Sequence, residues 1–158
     1  MKFEANIFIL IFLIQTNTIA VSEVPSDSTI INAVKFAHSL ETKLFANPES
    51  ATSREYVFNF YRQGFSKDIA QRQTAYSWNE ETKSLRPGDI SMDSPDIVIV
   101  ISKTPLEAIV VYYTPDVLKR IWGLGTYTVE TLNYENGKWV VTKSEPINKK
   151  PAQLPERP

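Results

Sequence analysis

Very few side chains in this sequence are equipped for bond-making chemistry. There is one histidine, His38, and no cysteine, so thiol nucleophiles, thiolate metal ligands and disulfides are excluded together. His38 sits in a helical pattern one position after the apolar Ala37, where a lone histidine reads as a boundary residue. A general base needs an orienting partner within hydrogen-bond reach, and no local motif supplies one. No Gly-x-Ser-x-Gly is present, so a hydrolase elbow has no support. Gly123-Leu124-Gly125 lacks the third glycine and the strand-to-helix setting of a dinucleotide loop, and reads as a bend before a strand. No catalytic residue and no cofactor follow from the sequence.

Two weaker constellations remain. Asp89, Asp93 and Asp96 gather the hard oxygens that calcium prefers, but their spacing does not fit the EF-hand loop. Acidic turn residues in a solvated loop are the plainer reading, with a metal site as the alternative. Tyr56, Tyr61, Tyr76, Trp78 and Trp122 are the candidates for lining a ligand cleft, since aromatic side chains serve that role at interfaces. In a small domain such residues are also the natural core.

The elements that must position these residues can be read from periodicity. Ser28 or Thr29 can cap a helix whose apolar positions Ile30, Val34, Ala37, Leu40 and Leu44 recur at helical spacing, and Asn47-Pro48 ends it. Thr52 and Glu55 match a capping box opening a second helix with Tyr56, Val57, Phe60 and Tyr61 as its aromatic face. Gly64 is placed to close that helix in the left-handed conformation. Ser66 can cap a third, short helix through Ile69, Ala70, Gln73 and Tyr76.

From residue 79 to residue 96 the chain is polar and broken by prolines, with a short strand expected near residues 84–86. Residues 97–101 and 108–113 are β-branched and aromatic runs that predict two antiparallel strands, both central in the sheet. Thr114-Pro115-Asp116 is suited to open one helical turn. Strands over 126–133 and 138–144 meet across Asn136-Gly137, the strongest short-range hairpin signal. A two-residue turn sets Glu135 against Lys138, Tyr134 against Trp139, Leu132 against Val141 and Glu130 against Lys143, with Trp139 buried against the helices. The class is α+β: two to three N-terminal helices on a three- to four-stranded antiparallel meander.

The 158 residues suit one domain, and 42% hydrophobic with 11% aromatic content is enough to build a core. A net charge of -1 excludes the basic field that binds nucleic acid. Residues 1–22 read as a signal peptide: Lys2, an unbroken apolar run over 7–14, then small residues that place cleavage near Val21 or Glu23. The run falls short of the roughly 20 residues a membrane span needs, so no span is expected after cleavage. Residues 23–147 form the domain, and 148–158 read as a Pro-rich disordered tail.

Helices followed by a meander ending in Tyr-Glu-Asn-Gly-Lys-Trp-Val-Val (residues 134–141) resemble the NTF2-like and cystatin-like fold group. The run Tyr61-Arg62-Gln63-Gly64-Phe65-Ser66, with Ala70 and Tyr76-Ser77-Trp78, is similar to small exported proteins of undefined role from low-GC Gram-positive bacteria. Neither resemblance brings catalytic residues, because that fold group hosts enzymes, binding modules and secretion components alike. The reading that follows is a secreted or cell-envelope noncatalytic binding module that contacts an envelope or secreted partner protein. Two alternatives stand beside it. One is an NTF2-like small-ligand carrier or pocket enzyme, with Tyr56, Tyr61, Tyr76 or Asp89 as its acid-base group; the other is a structural subunit of an envelope assembly. The oligomeric state is left open.

Overall fold

The computed structural model describes residues 23–87, 95, 97–115, 125–147 and 149–152. Three helices come first: α1 (Asp27–Ala46), α2 (Arg54–Tyr61) and α3 (Lys67–Ser77), with one 3-10 turn at Pro48–Ser50. A small hairpin follows, β1 (Trp78–Asn79) with β2 (Ser84–Leu85), and then the main sheet of β3 (Ile97–Lys103), β4 (Glu107–Pro115), β5 (Gly125–Glu135) and β6 (Lys138–Ile147). The main sheet is an antiparallel meander in the order β3-β4-β5-β6, so the fold is α+β. Among the described residues no helix is long and apolar enough to cross a membrane.

Burial of the α1 stripe holds the two layers together. Ile30, Val34, Ala37, Leu40 and Leu44 are all at most 1% exposed and pack with Val57, Tyr61, Phe65, Val110, Leu132 and Val141. Each buried aliphatic side chain contributes roughly 1.5 to 3 kcal/mol, so this stripe outweighs any single polar contact in the domain. Two of the three helix caps sit one to three residues from where the sequence suggests. Ser26 caps α1 and Ser53 caps α2, each accepting from the backbone N–H three residues on, while Ser66 caps α3 as expected. Serine and threonine at adjacent positions offer equivalent hydroxyls, and backbone dihedrals choose between them.

The hairpin turn matches its sequence signal, with Asn136 at φ 51° and Gly137 at φ 82°. Register follows as expected from Glu135↔Lys138 through Leu132↔Val141. It then slips between Thr131 and Leu132, so Glu130 faces Ser144 and not Lys143. That bulge removes the expected Glu130–Lys143 pair, since one extra residue on a strand shifts every later partner. Trp139 is half-buried against the core, its ring 5.5 Å from that of Tyr134, which is itself exposed. The expected full burial of Trp139 is not reached, because the pair lies at the turn end of the sheet.

Three further expectations change. β4 is central as read, but β3 is an edge strand with Ile97 and Ile101 exposed. Thr114 and Pro115 end β4 and do not open a helical turn; Asp116 lies outside the described residues. Gly64 is not left-handed, since Asn136 and Lys83 are the non-glycine residues and Gly137 the glycine with positive φ among those described. Its role is close approach: a Cβ there would stand 2.7 Å from Ala37 Cα and 2.9 Å from Ala37 Cβ. The segments 1–22 and 153–158, with residue 148, lie outside the described residues.

Gly64→Ala is expected to destabilise the domain by about 1 to 3 kcal/mol, because the clash is with α1 backbone, which cannot give way as a flexible side chain would. Urea unfolding checks this, and a neutral result would show that α1 is free to shift away from the turn.

Candidate functional site

The spacing that builds the α1 stripe also turns His38 inward. Ile30, Val34 and His38 are four residues apart, so His38 stands one turn beyond Val34 on the buried side and is only 7% exposed. Its boundary reading is therefore corrected. From the sheet, Tyr112 on β4 and Glu130 on β5 project toward the same helix, because alternate residues of a strand share a face. Tyr112 is 2% and Glu130 1% exposed.

These three side chains close a triangle. Tyr112 O–H donates to Glu130 Oε1 at 2.9 Å, His38 Nε2 lies 3.1 Å from the same oxygen, and Tyr112 O is 2.9 Å from Nε2. The phenol has one proton and spends it on Glu130. With that proton donated to Glu130, Nε2 bonds either oxygen as a donor in the tautomer that carries the ring hydrogen there. The rings of His38 and Tyr112 meet edge to face at 5.2 Å and 79°. Burial, followed by the Glu130 carboxylate, pushes the Tyr112 phenol far above the ordinary tyrosine value; Ser144 and Thr128 act weakly the other way.

A second buried polar group lies between the helices. Tyr61, on α2, bonds Ser77 Oγ at 2.8 Å, and its phenol is pushed up to about 12, chiefly by burial, with the charge of Glu41 adding and Ser77 opposing. Glu41 itself is fully buried on α1.

What can the triangle do? A group that works as general base must present a free lone pair to its substrate. With Nε2–H committed to Glu130 and Tyr112, that nitrogen has none. Glu130 Oε1 receives hydrogen bonds, whereas Oε2 is buried without a hydrogen-bond partner. In that tautomer the imidazole lone pair lies on Nδ1, and the arrangement docks α1 on the sheet with Glu130 Oε2 buried and without a hydrogen-bond partner.

The expected site residues are scattered by the structure. Tyr61 and Trp78 are core residues, at 0% and 3% exposure, while Tyr56 and Tyr76 are exposed on α2 and α3, at 37% and 62%. They do not converge on one cleft. Trp122, Asp89, Asp93 and Asp96 lie outside the described residues. An open groove of about 430 Å³ does run between α2 and α3, lined by Arg54, Glu55, Phe58, Lys67, Gln71 and Thr74, none of them a candidate site residue from the sequence. Comparison with protein-family models, with curated proteins and with solved structures gives no match.

Two outcomes test the triangle. His38→Ala is expected to cost about 3 kcal/mol, because it strips partners from a buried phenol and a buried carboxyl, and urea unfolding would show it. A change within about 0.5 kcal/mol, typical of surface positions, would contradict the burial of His38. The second concerns alkaline pH. Tyr61 and Tyr112 both hold their protons above the ordinary value of 10.0, so the folded chain retains protons that the unfolded chain releases. Stability is then full below pH 10 and is lost as pH rises from there toward about 12, where Tyr61 ionises in the fold, at about 1.4 kcal/mol per pH unit for each phenol. Urea midpoints measured from neutral pH upward should fall, and Tyr61→Phe should flatten the decline.

Proposed function

We propose that this chain is an exported, noncatalytic binding module that acts by contact with an envelope or secreted partner protein, on a scaffold of the NTF2-like or cystatin-like kind. The observation that supports this reading is the fate of the single histidine. His38, its carboxylate partner and its phenol partner are spent on one another between α1 and the sheet, with no more than 7% of any of them exposed. Proton-transfer equipment held so deep is aimed at the fold and not at a substrate. Export rests on the apolar run over residues 7–14 and the small residues after it.

A small-ligand carrier is the second reading, and one atom favours it. Glu130 Oε2 is a buried acceptor without a partner, which a ligand N–H or O–H would satisfy, as would one buried water. The readings separate by experiment. Photo-crosslinkers placed at exposed positions such as Tyr56 and Tyr76 should capture a protein partner in intact cells if contact is the function. A small molecule that co-purifies with the protein and is lost in Glu130→Gln would instead support the carrier.

Mass spectrometry of exported material should find an N-terminus near Val21 or Glu23. An intact Met1 in a soluble cytosolic pool would refute export and the reading built on it.

A further inference from the structure

The main sheet ends in two edges, β3 and β6, and they are built differently. β6 is guarded. Phe65 bridges to Val141, with Ser66 N donating to Val141 O at 2.8 Å and Val141 N donating to Gly64 O at 2.9 Å. The rest of β6 carries Lys143, Glu145 and Pro146. A covering loop, charges and proline are the usual devices against edge-to-edge pairing.

Among the described residues β3 carries no covering loop, charge or proline over its first five residues, and its one bulge falls at the last of them, Ile101. Ile97-Val98-Ile99-Val100-Ile101 contains no charge, proline or glycine, and Ile97 and Ile101 are 45% and 42% exposed. Among the described residues only β4 pairs with it. The single charge on the strand, Lys103, is engaged by Asp27 at 2.6 Å. The register slip against β4 falls after Val100, so the stretch from Ile97 to Val100 pairs regularly.

We propose that the chain forms a homodimer in which β3 pairs antiparallel with the β3 of a second copy, about a two-fold axis at Ile99. The occupant is named by the sequence of the edge itself. Ile97-Val98-Ile99-Val100-Ile101 is a palindrome, and an isologous contact requires a surface complementary to itself. A two-fold at Ile99 sets Ile97 against Ile101, Val98 against Val100 and Ile99 against Ile99, with no like charges opposed. Continuity argues the same way. Ile99 belongs to an apolar patch with Val111, Tyr113, Tyr127, Val129 and Ile147, and that patch runs to the β3 edge, where a second copy carries it across the seam. The joined sheet has eight strands, and its two outer edges are the guarded β6 strands.

The absence of cysteine makes the test direct. Directly opposed residues of an antiparallel pair have Cα atoms about 4.5 to 5.5 Å apart, within disulfide reach. Sedimentation of the purified protein over a concentration series should give a dimer. Mild oxidation of Ile99→Cys should lock it as a disulfide-linked dimer, whereas Lys143→Cys on β6 should stay uncrosslinked. Joint Ile97→Lys and Ile101→Lys, at exposed positions where folding tolerates the change, opposes lysines twice across the axis and should weaken the dimer about tenfold or more. Circular dichroism on the double variant confirms that it is folded, and the cysteine pair stands independently of it. A monomer at every concentration overturns the proposal. So does a dimer that crosslinks through Lys143→Cys, or one that a folded lysine variant leaves intact.

Discussion

The meeting of His38 with Glu130 and Tyr112 constrains everything else in this domain. A carboxyl group at 1% exposure cannot remain without hydrogen-bond donors, since an unmet buried acceptor costs a few kcal/mol. Its donors come from β4, one strand away, and from α1, separated from it by 92 residues of sequence. Helix α1 can therefore dock on the sheet in one rotation and at one height. A slide by one turn would still bury an apolar stripe of similar composition, but would strand Glu130. Apolar burial supplies most of the stability, and the polar triangle selects which buried arrangement is native.

With α1 fixed, the remaining contacts follow in order. Ala37 is the residue beside His38, and its Cα is what Gly64 approaches, so docking α1 also fixes the turn between α2 and α3. That turn continues through Phe65 and Ser66 onto the middle of β6, where two backbone hydrogen bonds close the sheet edge. One helix rotation thus reaches from the centre of the inner face to the outer strand. The bulge between Thr131 and Leu132 belongs to the same chain of causes. It changes the cross-strand partner of Glu130 from a lysine to Ser144, so no ammonium from β6 stands directly opposite the carboxylate as a rival to His38.

Much of this was legible in the sequence and the triangle was not. Period and punctuation, which are local, gave three helices, the Asn136-Gly137 turn and the strand positions, because each depends on residues within a few positions of one another. Burial of Ile30, Val34, Ala37, Leu40 and Leu44 was equally local. The role of His38 was readable in part. Its spacing of four from Val34, itself four from Ile30, placed it on the inner side, yet a stripe centred on Ala37 set it at the boundary. The identities of its partners were beyond reach, since Tyr112 and Glu130 are brought to it only by sheet register, and register beyond the bulge cannot be counted from the hairpin turn. Gly64 failed for a related reason. A glycine after a helix has a local explanation in positive φ, and here the explanation is a long-range contact with Ala37.

The same distinction bears on function. A site assembled from residues far apart in sequence is often taken as evidence of catalysis, because such groups perturb one another's proton affinities. The proton inventory here argues for a structural role. Tyr112 gives its one proton to Glu130, and burial, followed by the Glu130 charge, pushes its phenol well above the ordinary tyrosine value. Nε2 of His38 donates to these oxygens in the tautomer that carries the ring hydrogen there. Drawing either donor away from Glu130 would leave a buried acceptor unmet between α1 and the sheet. The contacts of the triangle tie α1 to β4 and β5 at the centre of the inner sheet face.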